Sequence, residues 1–216
     1  MTHSSTDSKQ TDKGESGCLF IVSAPSGAGK STLCRAARKR FPALTYSVSH
    51  TTRPPRAGEK NGVDYYFISH AEFEKKIREN AWAEWAKVHG HYYGTSAELL
   101  NHYLARGTPV LLDIDVAGTR QILERFPDSI TIFIMPPSLA ELERRLKKRG
   151  ADDGATIEKR LKNADAEMAR RDLYRYIIIN DQLNQAIEEF CAIIERHSPG
   201  RALDAADTPT GQGSAG

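Results

Sequence analysis

The stretch Ala24-Pro25-Ser26-Gly27-Ala28-Gly29-Lys30-Ser31-Thr32 restricts the possible folds more than any other part of the chain. It follows the apolar run Leu19-Phe20-Ile21-Val22 and opens a segment of helical pattern from Ser31 to Phe41. Strand, glycine-rich turn and helix, in that order, form the setting of a P-loop. Such a turn aims successive backbone N–H groups inward, and the helix N-terminus adds about half a positive charge. Lys30 then reaches the outer phosphates of a nucleoside triphosphate, and Ser31 offers its hydroxyl to a magnesium ion. Ala24 departs from the strict pattern, which places its first glycine there.

The 216 residues suffice for one domain with inserted subdomains and an ample core. With 30 Lys and Arg against 28 Asp and Glu, the net charge is +2, so no overall field argues for nucleic acid or a membrane as partner. No apolar stretch is long enough for a membrane span, and no signal-peptide pattern is visible. Cys18, Cys34 and Cys191 lack metal-ligand spacing and suit a reducing cytosol, so a soluble, cytoplasmic protein is expected. No spacing addresses oligomeric state.

Residues 1–16 and 199–216 are polar and read as disordered tails around a domain over 17–198. Within it, short apolar runs at 19–23, 109–112, 130–134 and 176–179 read as buried strands. Helical patterns separate them at about 31–41, 116–125, 139–149, 157–171 and 182–196. This alternation predicts an α/β fold with a parallel sheet. A stretch rich in aromatics, arginine and glycine breaks the rhythm and predicts an insertion, 49–94, built partly of antiparallel strands around 65–68 and 83–86. The core is then 17–48 plus 95–198.

The insertion opens with a second anion-binding candidate. Arg53 and Arg56 flank the stiff Pro54-Pro55 and present two guanidinium forks, which match phosphate oxygens bidentately. Tyr65 and Tyr93 can add hydroxyl donors. Further on, Val110-Leu111-Leu112-Asp113-Ile114-Asp115 reads as an apolar strand closing on two carboxylates of the same facing. Ligands in open α/β sheets gather at that end of the strands. Asp113 stands where P-loop proteins commonly place a magnesium-associated acid and Asp115 is expected to face the acceptor, both being candidates for GMP contact, and the sequence does not divide the two roles between them. Arg144, Arg145, Lys147, Lys148 and Arg149 make a dense basic cluster on one predicted helix. His89 and His91 find no third ligand at zinc-like spacing, and Trp82 and Trp85 read as packing.

Together, Ser-Ala-Pro-Ser-Gly-Ala-Gly-Lys-Ser (23–31), Ser-His-Thr-Thr-Arg-Pro-Pro-Arg-Ala-Gly-Glu (49–59), Gly-Val-Asp-Tyr-Tyr-Phe (62–67), Tyr-Tyr-Gly-Thr (92–95), Leu-Asp-Ile-Asp (112–115), Arg-Arg-Leu-Lys-Lys-Arg-Gly (144–150) and Ile-Asn-Asp (179–181) resemble guanylate kinase. The resemblance runs from about Gly17 to His197. It implies a P-loop nucleoside-monophosphate-kinase-like parallel sheet core, a mixed α/β GMP-binding insertion and a helical lid at about 141–171. It also implies transfer of the ATP γ-phosphoryl group to GMP, and to deoxy-GMP, with magnesium held at Ser31 and Asp113.

A guanine presents two adjacent donors, N1–H and N2–H, that one carboxylate accepts together and adenine cannot offer. By resemblance Glu84 is that carboxylate, with the Ser49 and Thr95 hydroxyls at O6. Arg53, Arg56, Tyr65 and Tyr93 then bind the GMP phosphate, and Glu59 orients the arginine pair. The resemblance further makes Arg145, Arg149 and Arg160 lid cations that close on the triphosphate, and puts Asn180 near the adenine. Residues 116–118, Val-Ala-Gly, depart from the family, many members of which carry a bulkier residue and then glutamine. Two other readings are weighed. A non-catalytic binding module of this family would tend to degrade the P-loop or lid, yet Gly29, Lys30, Ser31, Asp113, Arg145, Arg149 and Arg160 are all present. A kinase for another monophosphate has no use for the set Glu84, Ser49 and Thr95.

Overall fold

The computed structural model describes residues 17–149 and 153–198; both expected tails lie outside the described residues. The central sheet is parallel throughout and has five strands in the order β2-β7-β1-β8-β9. These are β1 (Leu19–Ser23), β2 (Thr45–Tyr46), β7 (Val110–Asp113), β8 (Ile130–Met135) and β9 (Tyr176–Ile179). Buried on both faces, the sheet demands apolar runs in place of alternation, and every residue of β1 is buried.

Phe20 and Val22 of β1 join Leu33, Cys34 and Ala37 of α1 (Lys30–Arg40) and Phe190, Cys191 and Ile194 of α7 (Leu183–His197) in one core. Leu19 and Ile21 point the other way, toward Leu100 of α3 (Ala97–Ala105) and Ile122 of α4 (Val116–Arg125). The period of two along β1 thus feeds two helical layers. Asp115 follows β7 instead of belonging to it, so strand alternation does not set its direction.

A second sheet has the order β4-β3-β6-β5, from β3 (His50–Thr51), β4 (Tyr66–Phe67), β5 (Trp82–Val88) and β6 (His91–Ser96). β3 and β5 pair with β6 antiparallel, whereas β3 and β4 are parallel. Helix α2 (His70–Arg78) covers one face, stacking Phe73 on Trp82 and Tyr92 with ring centroids 4.2 and 5.0 Å apart. A bulge at the start of β5 pairs Trp82 with Ser96 but Glu84 with Thr95. The extra residue turns Glu84 away from the α2 face that Trp82 occupies and onto the side of Thr95 and Tyr93.

Helices α5 (Leu139–Arg149) and α6 (Gly154–Met168) form a hairpin with a small core of its own, Leu142, Leu146, Ile157 and Ala164. A 3-10 turn at Arg171–Leu173 returns the chain to β9.

Candidate active site

The P-loop bridges β1 and α1. Gly27 and Gly29 have φ of 97° and 104°, conformations that L side chains rarely adopt. Ala24 is not among the described residues with positive φ and packs against the sheet core, so this position needs no glycine. Gly29 is the N-cap of α1 and offers no side-chain cap, so no capping side chain competes with an anion at this helix end, although Thr32 N–H already donates to the Gly29 carbonyl (3.0 Å). Pro25 accepts a turn bond from Ala28 N–H (3.0 Å), while Ser26, Ser31 and Thr32 are exposed along the loop. Asn180, buried at the end of β9, donates its amide to the Ala28 carbonyl (2.8 Å). A Cβ on Gly29 would collide with that same amide. Asn180 is thereby committed to bracing the phosphate loop.

Lys30 forms an ion pair with Asp113, whose other oxygen accepts from the Tyr46 hydroxyl (3.3 Å). Asp115 is the N-cap of α4 and accepts from Gly118 N–H (2.7 Å). Beneath them lies a buried hydroxyl cluster that the sequence reading missed. Tyr174 donates to Thr119 (3.1 Å), Ser23 and Thr119 donate to the Ile114 and Asp115 carbonyls (2.8 and 2.9 Å), and the Ser23 and Thr119 hydroxyl oxygens lie 3.0 Å apart. These bonds fix the turn that carries both carboxylates.

On the insertion, Glu59 grips the Arg53 guanidinium with both oxygens (2.9 and 3.0 Å) and accepts from Arg56 N–H (2.7 Å). The Arg56 side chain is exposed. Arg53 lies 5.4 Å from the Tyr65 ring centroid, and Tyr65 meets Tyr93 edge-on at 6.0 Å. Ser49 is half-buried just before β3. Further along the same face, Glu84 is 7% exposed, and its Oε1 accepts from the Thr95 hydroxyl (2.6 Å). Burial pushes the Glu84 carboxyl up to about 7; the Thr95 hydrogen bond opposes the shift, and the Asp115 charge adds to it. Oε2 faces α4, where a Cβ on Gly118 would lie 3.1 Å away. One face thus presents a carboxylate and a hydroxyl at one end and an arginine fork between tyrosines at the other.

The helical hairpin stands over the P-loop. A Cβ on Gly27 would meet Leu142 and Leu146 at 3.0 Å. Arg145 donates to Glu141 (2.8 Å) and to the Asn180 carbonyl (2.9 Å), and Arg160 reaches the Ser26 hydroxyl at 3.4 Å. The Arg149 side chain lies outside the described residues. Between α6 and the start of α4 opens a cleft of about 260 Å³ lined by Asp115, Val116, Ala117, Asn163, Glu167 and Arg170. Burial raises the carboxyl of Glu167, which sequence reading had not singled out. His89 and His91 join no metal-binding group among the described residues.

A sequence model of the family described as guanylate kinase matches residues 16–197. A guanylate kinase of Geobacter sulfurreducens is 49% identical over 191 residues, covering 88% of this chain and 94% of the relative. One from Haemophilus ducreyi is 50% identical over 180 residues, covering 82% and 87%. The crystal structure of guanylate kinase from Anaplasma phagocytophilum superposes with a TM-score of 0.66 at 30% identity, covering 88% of this chain and 90% of that one. The chain belongs to the guanylate kinase family.

Proposed function

We propose that this chain transfers the γ-phosphoryl group of ATP to GMP, yielding ADP and GDP. One observation carries the reading. The short span 113–118 touches both halves of such a reaction: Asp113 pairs with the P-loop Lys30, and Gly118 abuts the buried carboxylate of Glu84. Glu84 would accept guanine N1–H and N2–H and Ser49 reach O6, while the Thr95 hydroxyl, expected at O6, gives its one proton to Glu84 Oε1 and so holds the carboxylate in place. Arg53 and Arg56, with Tyr65 and Tyr93, would take the phosphate, Glu59 presenting the fork. The boundaries we propose are a GMP-binding insertion at 49–94, a lid at about 141–171 and a core from the rest of 17–198.

A phosphate oxygen of GMP attacks the γ-phosphorus, the bond to the β,γ-bridging oxygen breaks, and ADP leaves. No general base is required, because a phosphate monoester with a second pKa of about 6 is largely dianionic at neutral pH. Catalysis rests on in-line placement and charge neutralisation by Lys30, Arg145, Arg149 and Arg160. The P-loop residues 24–32 would hold the triphosphate, with Asn180 supporting the loop on the adenine side.

The residues present fit magnesium. Ser31 and Asp113 supply hard oxygen donors, and no group of three or more His, Cys, Asp or Glu is gathered for a metal among the described residues. That suits an ion held chiefly by phosphates and water. When bound, it offsets charge on the β- and γ-phosphates. Recognition through base and phosphate extends the reading to deoxy-GMP. Cytoplasmic location is proposed from three free cysteines; no described helix is long and apolar enough to cross a membrane.

An ADP-release assay with magnesium and ATP, offering GMP, dGMP, AMP, CMP and UMP in parallel, tests the proposal. Turnover on GMP and dGMP with little on AMP is expected. Silence on every acceptor from folded protein that still binds GMP would replace the enzyme with a binding module.

A further inference from the structure

Helix α4 lies along β5 and presents the residues Gly118, Gln121 and Arg125 to the insertion. The spacing i, i+3, i+7 puts all three on one stripe of the helix. Each meets the insertion at a separate point: Gly118 faces Glu84 Oε2, Gln121 meets Trp85, and Arg125 meets Asn80.

The middle contact is the informative one. Among the described residues β5 pairs only with β6, so its outer edge leaves backbone donors and acceptors without a strand partner there. Gln121 takes the place of that partner. Its Oε1 accepts from Trp85 N–H (3.0 Å), and its Nε2 donates to the Trp85 carbonyl (3.1 Å). A primary amide carries the same donor and acceptor as a peptide, so one side chain completes both bonds of a ladder step. At the far end of the stripe, Arg125 donates to the backbone and side-chain oxygens of Asn80, which sits at φ 53° in the turn before β5.

We propose that Gln121 is a positioning residue of the acceptor site, holding β5 so that Glu84 stands in the geometry that reads guanine; this rests on the acceptor assignment given above. Glu84 is the residue immediately before the clamped Trp85, and its own carbonyl belongs to the peptide whose N–H Gln121 holds. Its carboxylate is bonded at Oε1 by Thr95 and confined at Oε2 by α4, so the clamp supplies the backbone constraint that those side-chain contacts lack. The same helix is capped by Asp115, two residues after Asp113, the carboxylate paired with Lys30. Base reading and phosphoryl transfer are therefore referenced to one rigid element. A misplaced carboxylate loses its simultaneous grip on N1–H and N2–H before it loses all binding.

The test uses the full chain with Gln121→Ala and the isosteric Gln121→Glu, whose carboxylate accepts from Trp85 N–H but cannot donate to its carbonyl. Acceptors are GMP and IMP, which lacks the 2-amino group. In Gln121→Ala, kcat/KM for GMP is expected to fall about tenfold. The preference for GMP over IMP should fall about threefold or more, with KM for ATP within about twofold of wild type. Gln121→Glu should lie between the two and carries the test should the alanine variant unfold. Parallel loss on GMP, IMP and ATP, tracking a lowered melting temperature, would mean a merely structural contact and overturn the proposal.

Amide exchange without any nucleotide gives an independent readout. Trp85 N–H should exchange at least about tenfold faster in Gln121→Ala. Unchanged exchange overturns the clamp itself. A wild-type chain that exchanges as expected but never turns over GMP would instead fail the acceptor assignment.

Discussion

With Glu84 in the proposed role of guanine reader, its raised carboxyl should make acceptor binding pH-dependent. Only the ionised carboxylate accepts both N1–H and N2–H, and free Glu84 titrates at about 7. The ionised fraction then falls from about nine-tenths at pH 8 to about one-tenth at pH 6, so KM for GMP should rise roughly tenfold across that interval. The phosphate of GMP, with its own pKa of about 6, adds a limb of about twofold at the acid end. Glu84→Gln retains that limb and loses the other, so the ratio of wild-type to variant KM isolates the carboxylate.

Stability provides a second arm. A carboxyl raised from 4.5 to about 7 holds its proton more tightly folded than unfolded. Its contribution favours folding below about pH 4.5 and is lost as pH rises through about 7, amounting to at most about 3 to 4 kcal/mol at roughly 1.4 kcal/mol per unit. Above pH 7 the nucleotide-free Glu84→Gln protein should therefore melt higher than wild type, and the gap should close toward pH 5. The assay is steady-state kinetics at pH 6, 7 and 8 beside melting curves over pH 5–8. Parallel KM profiles for the two proteins would refute the assignment of Glu84 as a titrating base reader.

Lys30→Met should lower kcat by at least about a hundredfold, the scale for removing one preorganised charge from a transition state, while circular dichroism shows the fold intact. Near-normal turnover would remove Lys30 from the mechanism. Gly29→Ala, which forces φ 104° on a side chain and drives it into the Asn180 amide, should cost about 1–3 kcal/mol and raise KM for ATP, with GMP affinity by calorimetry unchanged. Equal damage to both ligands would point to general misfolding. Glu59→Gln loses the charge-assisted grip on the Arg53 fork, so KM for GMP should rise about fivefold with kcat little altered. A fall confined to kcat would contradict a role in presenting the fork.

The four long core strands were legible because a sheet buried on both faces requires apolar runs, and the runs at 19–23, 109–112, 130–134 and 176–179 have no other use. β2 was not. Two residues, Thr45 and Tyr46, are held by bonds to the β7 edge such as Thr45 N–H to the Pro109 carbonyl (2.9 Å), a tertiary cause without a local pattern. Helix α2 did leave a signal: Ser69 caps it by accepting from Glu72 N–H (3.1 Å), the start of a Ser-x-x-Glu box. Helix α3 likewise starts on a Ser96 cap, where Leu99 N–H donates at 3.3 Å. Both were passed over inside or beside a stretch dominated by aromatics.

Among site residues, the glycines and Lys30 of the P-loop follow from chemistry and spacing alone. The orientation of Glu84 does not. Strict alternation places it beside Trp82, against α2, and only the bulge reverses it. Gln121 was equally hidden, since a neutral side chain on an amphipathic helix carries no sign of the edge strand beside it. Thr119, Ser23 and Tyr174 are buried hydroxyls whose partnership exists only after β1, β7 and β9 are assembled.

The bulge in β5 has a bearing on how this protein can evolve. By separating Trp82 from Glu84, it divides the insertion into a side that packs on α2 and a side that carries the proposed guanine contacts. Aromatic stacking on α2 supports the sheet, and Glu84, Thr95 and Tyr93 stand on the opposite surface. Substitutions on the proposed selecting side are expected to spare the aromatic stack on α2, so drift toward a different acceptor base need not pass through unfolded ancestors.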